Sequence, residues 1–191
     1  MTKKRTKKVA KIATEYVLPL GKALGLRSCK ADFSSPSDDA NGFKWPKSGP
    51  VTAPDWDPSP RCGNGLHLLA HGEGDGSLLC FEPGARWLVC EYNPLTAVEL
   101  NGKIKVPACT VVFVGDDKSA PVWIMAHDSF ARSVVSGTAT AGYSGTATAG
   151  YSGTATAGYS GTATAGDSGT ATAGDSGTAT AGDSGTATAG D

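Results

Sequence analysis

Two patterns of apolar and polar positions divide the chain. From Ser136 to Asp191, polar and small apolar residues alternate with period two inside every Thr-Ala-Thr-Ala segment. Thr138 and Thr140 then face one way and Ala139 and Ala141 the other, which is strand patterning. β-Branched Thr suits a pleated surface. Between the segments, Gly142, Tyr143, Ser144 and Gly145 read as a turn. The unit Ser-Gly-Thr-Ala-Thr-Ala-Gly, closed by Tyr or Asp, recurs seven times without interruption. A fixed short period marks a repeat architecture. One octad supplies one strand and one corner, and a closed coil needs two. The pattern therefore predicts a β-solenoid of about sixteen residues per coil.

Upstream the pattern is irregular. Leu26–Ala31 reads as a first strand, Gly49–Ala53 as a short extended segment and Leu66–Ala70 as a brief apolar one. Arg86–Tyr92 alternates, with Trp87, Val89 and Glu91 on one face and Leu88, Cys90 and Tyr92 on the other. Val98–Val106 crosses Asn101-Gly102, a hairpin signal. Thr110–Val114 and Val122–Ala126 read as buried strands joined through Gly115-Asp116-Asp117. Ser34–Gly42 and His71–Ser77 read as loops, and Ala10–Leu20 as a short helical segment ending at Pro19. The fold class is mainly β: a small β-rich (α+β) head over residues 25–132, followed by the solenoid over 136–191. Residues 1–24 form a basic, flexible tail.

Composition and charge refine this division. The chain has 191 residues and a net charge of −1. Residues 1–30 hold nine of the seventeen basic residues against the single acid Glu15. A lysine-rich tail is a solvated extension, or a contact for nucleic acid. Five cysteines with no Cys-x-x-Cys pair and no secretory leader favour reduced thiols and a cytoplasmic location. No apolar run reaches the length of a membrane span.

The repeat itself has little apolar surface to bury. Each inward Ala methyl contributes roughly 0.8 kcal/mol, against roughly 1–2 kcal/mol for ordering one residue's backbone. Stacked backbone ladders and a folded neighbour that templates the first coil must supply the rest. The same Gly/Ser/Thr/Ala composition also suits a disordered tail on a binding domain. In a sixteen-residue coil Tyr143 and Tyr159 share one edge and Tyr151 lies on the other. Asp167 pairs with Asp183 in the same way, and Asp175 with Asp191.

Candidate chemistry in the head is sparse. Cys62, His67, His71 and Cys80 are metal-ligating types within nineteen residues, although their spacings match no standard zinc knuckle. His67 precedes a Gly-rich loop carrying Glu73 and Asp75, and a His near carboxylates serves acid–base work. Neither pattern calls for a cofactor. Trp45, Trp56, Trp87 and Trp123 read as packing residues, with a ligand groove as the alternative.

The run Ala-Gly-Tyr-Ser-Gly-Thr-Ala-Thr-Ala-Gly resembles the octad-based repeats of bacterial ice-nucleation proteins, over residues 136–191. The resemblance implies a β-solenoid with a sixteen-residue coil. It implies a non-enzymatic protein whose outward threonines order water or bind ice. These are Thr138, Thr140, Thr146, Thr148, Thr154, Thr156, Thr162, Thr164, Thr170, Thr172, Thr178, Thr180, Thr186 and Thr188. It also implies self-association through an edge of Tyr143, Tyr151 and Tyr159. Residues 26–126, with Trp45-Pro46, Ala53-Pro54-Asp55-Trp56 and Cys62-Gly63-Asn64-Gly65-Leu66-His67, resemble an uncharacterised bacterial and phage domain found with such repeats. Gly65-Leu66-His67 also resembles the Gly-Ile-Tyr strand of ADP-ribosyltransferase-like folds. That alternative implies a transferase-like head in which His67 lines a nicotinamide pocket and Glu91 or Glu99 polarises a ribose, with the repeats as a tether.

Overall fold

A strand rich in β-branched and aromatic residues buries both faces only when something covers each side of its sheet. Arg86–Tyr92 shows this, because Trp87, Leu88, Val89 and Cys90 are all fully buried. The computed structural model describes residues 16–36 and 43–191. In it, Arg86–Tyr92 (β4) sits near the middle of a seven-stranded antiparallel sheet. The other strands are Ala23–Cys29 (β1), Gly49–Thr52 (β2), Leu66–Ala70 (β3), Val98–Leu100 (β5), Lys103–Val106 (β6) and Ala108–Gly115 (β7). Their spatial order is β2-β7-β4-β1-β3-β6-β5. The hairpin foreseen at Asn101-Gly102 joins β5 to β6. Leu88, Cys90 and Tyr92 pack on one face with Ile104 and Val106. Trp87 and Val89 pack on the other with Leu24, Leu26, Ile124, Val134 and Val135.

The apolar run around Val122 differs from its expected strand form. Ser119–His127 is an α-helix (α1). An unbroken apolar run carries no period that separates strand from helix, so the deciding signal lies just upstream. The Asp116 carboxylate accepts the amides of Lys118 and Ser119, two donors that a helix start leaves free. Pro121 stands in the first turn, where its missing N–H costs nothing. The helix lays Ala120 and Ile124 into the second core cluster. The expected helix over Ala10–Leu20 falls largely outside the described residues, and from Tyr16 to Pro19 the chain is irregular. Tyr16 packs on Trp123 and donates its hydroxyl to Glu91.

All seven Thr-Ala-Thr-Ala segments are strands, Thr138–Ala141 (β8) through Thr186–Ala189 (β14). Each pairs in parallel with the segment sixteen residues away: Thr138 opposite Thr154, Thr154 opposite Thr170, Thr170 opposite Thr186. The odd-numbered octads form one sheet, β8-β10-β12-β14, and the even-numbered ones a second, β9-β11-β13. Between the sheets lies a core of alanine alone, including Ala155, Ala163 and Ala171 at 0 % exposure.

The corners are built from backbone hydrogen bonds. The amide of each corner serine donates to the Tyr or Asp carbonyl one coil on, from Ser136 to Tyr151 through Ser176 to Asp191, at 2.7–2.9 Å. Serine, not glycine, takes the left-handed conformation at every corner, with φ of 52–57°. The glycine after it is required for another reason. A Cβ on Gly161 would lie 2.9 Å from the Gly145 carbonyl oxygen of the preceding coil and 2.8 Å from the Ala157 Cβ. The tight stacking of coils fixes that residue, not its own torsion angles.

Val134 and Val135 connect the two parts. Both are buried in the head's second cluster, and the Val135 amide donates to the Gly72 carbonyl at 2.9 Å. Glu73 Oε1 accepts the Arg132 amide, and the Ser133 amide at 2.8 Å. The segment ahead of β8 thereby stands where a preceding corner would: Ser136 pairs with Tyr151, and Gly150 donates to the Val134 carbonyl.

Candidate functional site

Every outward threonine of the repeat is exposed except Thr164, which is half-buried. The register stacks them in columns. One sheet presents a column through Thr138, Thr154, Thr170 and Thr186, and a second through Thr140, Thr156, Thr172 and Thr188. The opposite sheet presents Thr146, Thr162 and Thr178 beside Thr148, Thr164 and Thr180. Neighbours within a column are one strand spacing apart, about 4.8 Å, and the two columns lie about 6.7 Å apart along the strand. A uniform alanine interior leaves no bulky side chain to bow either sheet. Each face is thus a regular array of paired methyl and hydroxyl groups in register, and within the octads all charge falls on the corners.

The two edges of the solenoid are not alike. Tyr143 and Tyr159 stack with ring centroids 5.4 Å apart and planes 11° apart, on an edge where they are 75 % and 50 % exposed. Tyr151 is on the other edge, as its octad position requires. Its ring lies over Gly76 and beside Phe81, with centroids 6.0 Å apart. The three tyrosines therefore do not form one surface. Below Tyr151 the same edge carries Asp167 and Asp183, where the Asp183 amide donates to Asp167 Oδ1 at 2.9 Å.

The head residues singled out by sequence are scattered. Glu91 accepts from the Tyr16 hydroxyl and faces Lys22 across 4.0 Å. Its partner in β1 is Leu24. His67, in β3, lies at the far end of β1, where its carbonyl accepts from Arg27 Nη1. Glu99 is exposed on β5. Neither glutamate lines the cleft that holds His67. Burial, reinforced by Lys103, Arg27 and Lys105, pushes the His67 imidazole down to about 4, so its ring is neutral at pH 7. The four metal-type residues do not converge either. Cys62 is exposed, with Lys103 Nζ 3.2 Å from its sulfur. Cys80 is buried, and His71 Nδ1 pairs with Asp128 Oδ2 at 2.8 Å. Among the described residues no three His, Cys, Asp or Glu side chains form a metal-sized group.

One head residue of chemical interest escaped the sequence reading. Arg27 interrupts the apolar run of β1, and a charge inside a buried strand is the signal that could have found it. No helix among the described residues is long and apolar enough to cross a membrane.

Sequence comparison with known proteins finds relatives of the chain. The chain is 37 % identical over 123 residues to an ice nucleation protein of Pseudomonas syringae pv. syringae, covering 63 % of this chain and 10 % of that one. It is 39 % identical over 108 residues to an ice nucleation protein of Xanthomonas campestris pv. translucens, covering 56 % and 7 %. Ice nucleation protein InaU of Pantoea ananas gives 37 % over 108 residues, covering 56 % and 10 %. The chain thus spans about a tenth or less of the length of the curated relatives it matches. Its octad repeat resembles that of bacterial ice nucleation proteins, and the fold matches the β-solenoid expected from them. The aligned stretches are also longer than the repeat, so the likeness reaches into the residues that precede it. No family model matches the chain. No solved structure matches it either.

Proposed function

We propose that this chain, whose octads are those of an ice-nucleation-like solenoid, is a structural protein that holds ordered water or ice on its threonine faces. The observation that carries the reading is the set of register-stacked, solvent-exposed threonine columns on two parallel sheets. A methyl and a hydroxyl repeating on a fixed lattice favour water in a fixed arrangement. The methyl excludes water from the lattice gaps, and the hydroxyl donates and accepts. The head caps the first coil through Val134, Val135 and Tyr151 and lowers the cost of starting the solenoid. The exposed Tyr143–Tyr159 edge supports a second role, side-by-side association of two copies. Five free thiols, four of them buried, support a reducing compartment such as the cytoplasm as its location.

Droplet freezing tests the reading. The intact chain is compared with a variant carrying lysine at Thr154, Thr156, Thr170 and Thr172 on one sheet and at Thr146, Thr148, Thr162 and Thr178 on the other, a change confined to exposed positions. The variant is expected to freeze at lower temperature than the parent while circular dichroism keeps its strand signal. Equal freezing temperatures for the two would remove ice and ordered water from the function.

A further inference from the structure

Three side-chain polar atoms among the described residues are shielded from solvent and have no hydrogen-bond partner: Arg27 Nε, Trp45 Nε1 and His67 Nε2. All three residues line one cleft of about 950 Å³ in the head. Buried polar groups are almost always satisfied, and unsatisfied ones call for an explanation. Three in one cleft call for a common one.

The cleft is assembled, not incidental. Arg27 Nη1 donates to the His67 carbonyl at 3.0 Å and Nη2 to Ser35 Oγ at 2.8 Å. The guanidinium lies 4.5 Å from the centroid of the Trp45 ring. Trp45 is 4 % exposed and packs edge-on against Phe43. These contacts lock the guanidinium while leaving Nε unused. Arg27 as a whole is part-exposed, but its Nε is not.

The cleft is net positive, with Arg27 and Lys103 against the single carboxylate of Asp55. Lys103 lines it. Lys105, 1 % exposed, borders it and spends its ammonium on the carbonyls of Arg61 and Gly63. Asp55 also lines the cleft, but its Oδ1 accepts the Gly65 amide at 3.2 Å. Among the described residues, no carboxylate lies within ion-pair distance of Arg27. The remaining wall mixes apolar residues, among them Phe43, Leu66 and Leu78, with the polar Ser28, Ser35, Asn64 and Ser77.

We propose that this cleft binds a small organic anion. On entry its carboxylate or phosphate head displaces the side-chain atoms that shield Arg27 Nε and Trp45 Nε1 and accepts from both, and its flat apolar body lies against Phe43 and Leu78. Arginine suits such a head because its planar donors match carboxylate and phosphate oxygens. A neutral His67 contributes one nitrogen that donates or accepts as its tautomer requires. The site is independent of the solenoid faces, so failure of either proposal leaves the other standing.

The test titrates the full chain with benzoate, phenyl phosphate and inorganic phosphate. It follows the Trp45 indole N–H and the His67 imidazole by NMR. At least one organic probe is expected to shift both signals saturably and to raise the pH at which His67 titrates. Arg27→Lys, which keeps the charge and removes Nε, is expected to weaken that probe at least about tenfold. His71→Ala, outside the cleft, is expected to leave binding unchanged. Benzoate alone would define a carboxylate head, and phenyl phosphate alone a phosphate head. No saturable shift with any probe would overturn the proposal. So would equal binding by Arg27→Lys, confirmed on a sample whose melting matches the parent. Binding seen only after Asp38→Asn with Asp39→Asn would overturn it in favour of the chain's own acids as the counter-charge.

Discussion

Tyr143 and Tyr159, sixteen residues apart in sequence, stack with their rings nearly parallel and 5.4 Å between centroids. The stack follows the sixteen-residue coil that the strand register sets. It also creates an exposed aromatic edge that the opposite side of the solenoid lacks. If that edge joins two copies, Tyr143→Ser with Tyr159→Ser will convert the associated form to monomer in sedimentation velocity. An unchanged sedimentation coefficient would exclude the edge as an interface. The loss of the stack itself is expected to cost no more than about 0.5–1.5 kcal/mol of stability.

Tyr151 gives a test of the contact between head and solenoid. Asp occupies the same octad position at Asp167 and Asp183, so the corner tolerates Tyr151→Asp and only the contact with Gly76 and Phe81 is lost. Amide exchange in Thr146–Ala149 and Thr154–Ala157 is expected to speed up. Stability should fall by about 1–3 kcal/mol, the worth of one large buried side chain. Tyr143→Asp on the free edge should leave exchange in those strands near the parent's. Identical exchange in the two variants would mean that the head does not support the first coils.

The corner residues predict opposite outcomes for adjacent positions. Gly161→Ala places a methyl against the Gly145 carbonyl and should destabilise by about 1–3 kcal/mol, the usual cost of overpacking. Ser160→Gly relieves a left-handed serine at φ 54° and should be neutral or stabilising by up to about 1 kcal/mol. Urea denaturation followed by circular dichroism ranks the two. A destabilisation by Ser160→Gly larger than that of Gly161→Ala would refute the stacking account.

The neutral His67 predicts a pH window. Its folded value, about 4, lies below the ordinary 6.5, so the unfolded chain takes up the proton first. The stabilisation is complete above pH 6.5 and is lost as pH falls from 6.5 towards 4. Allowing for the part-exposed ring, about 1–2 kcal/mol should disappear across that window. His67→Gln should flatten the loss, measured as the melting temperature at pH 7 against pH 4.5. The depressed carboxyls of Asp32, Asp57 and Asp116 titrate lower and leave this window to His67.

The repeat was legible because its determinants are local and identical in every copy. Thr/Ala alternation sets which side faces in, the octad sets the corner, and two octads close a coil. The register, the tyrosine stack and the Asp167–Asp183 pairing all follow from that arithmetic. In the head, β4 and the β5–β6 hairpin were legible for the same reason, their period and their turn residues. The run around Val122 was not, because its helical state rests on the Asp116 carboxylate capping a segment whose apolar pattern has no period.

Sequence by itself determined the register of the solenoid, since identical neighbours stacked two octads apart leave one solution for backbone pairing. Tertiary structure decided what stacking cannot see. It covered Tyr151 and left Tyr143 and Tyr159 bare, because the head packs against one edge of a two-edged coil. It separated His67 from Glu91 and Glu99, and it brought Arg27, Trp45 and His67 around one cleft. Those relationships join strands and loops far apart in the chain, and the packing of the sheet, with no periodicity to announce it, sets their distances.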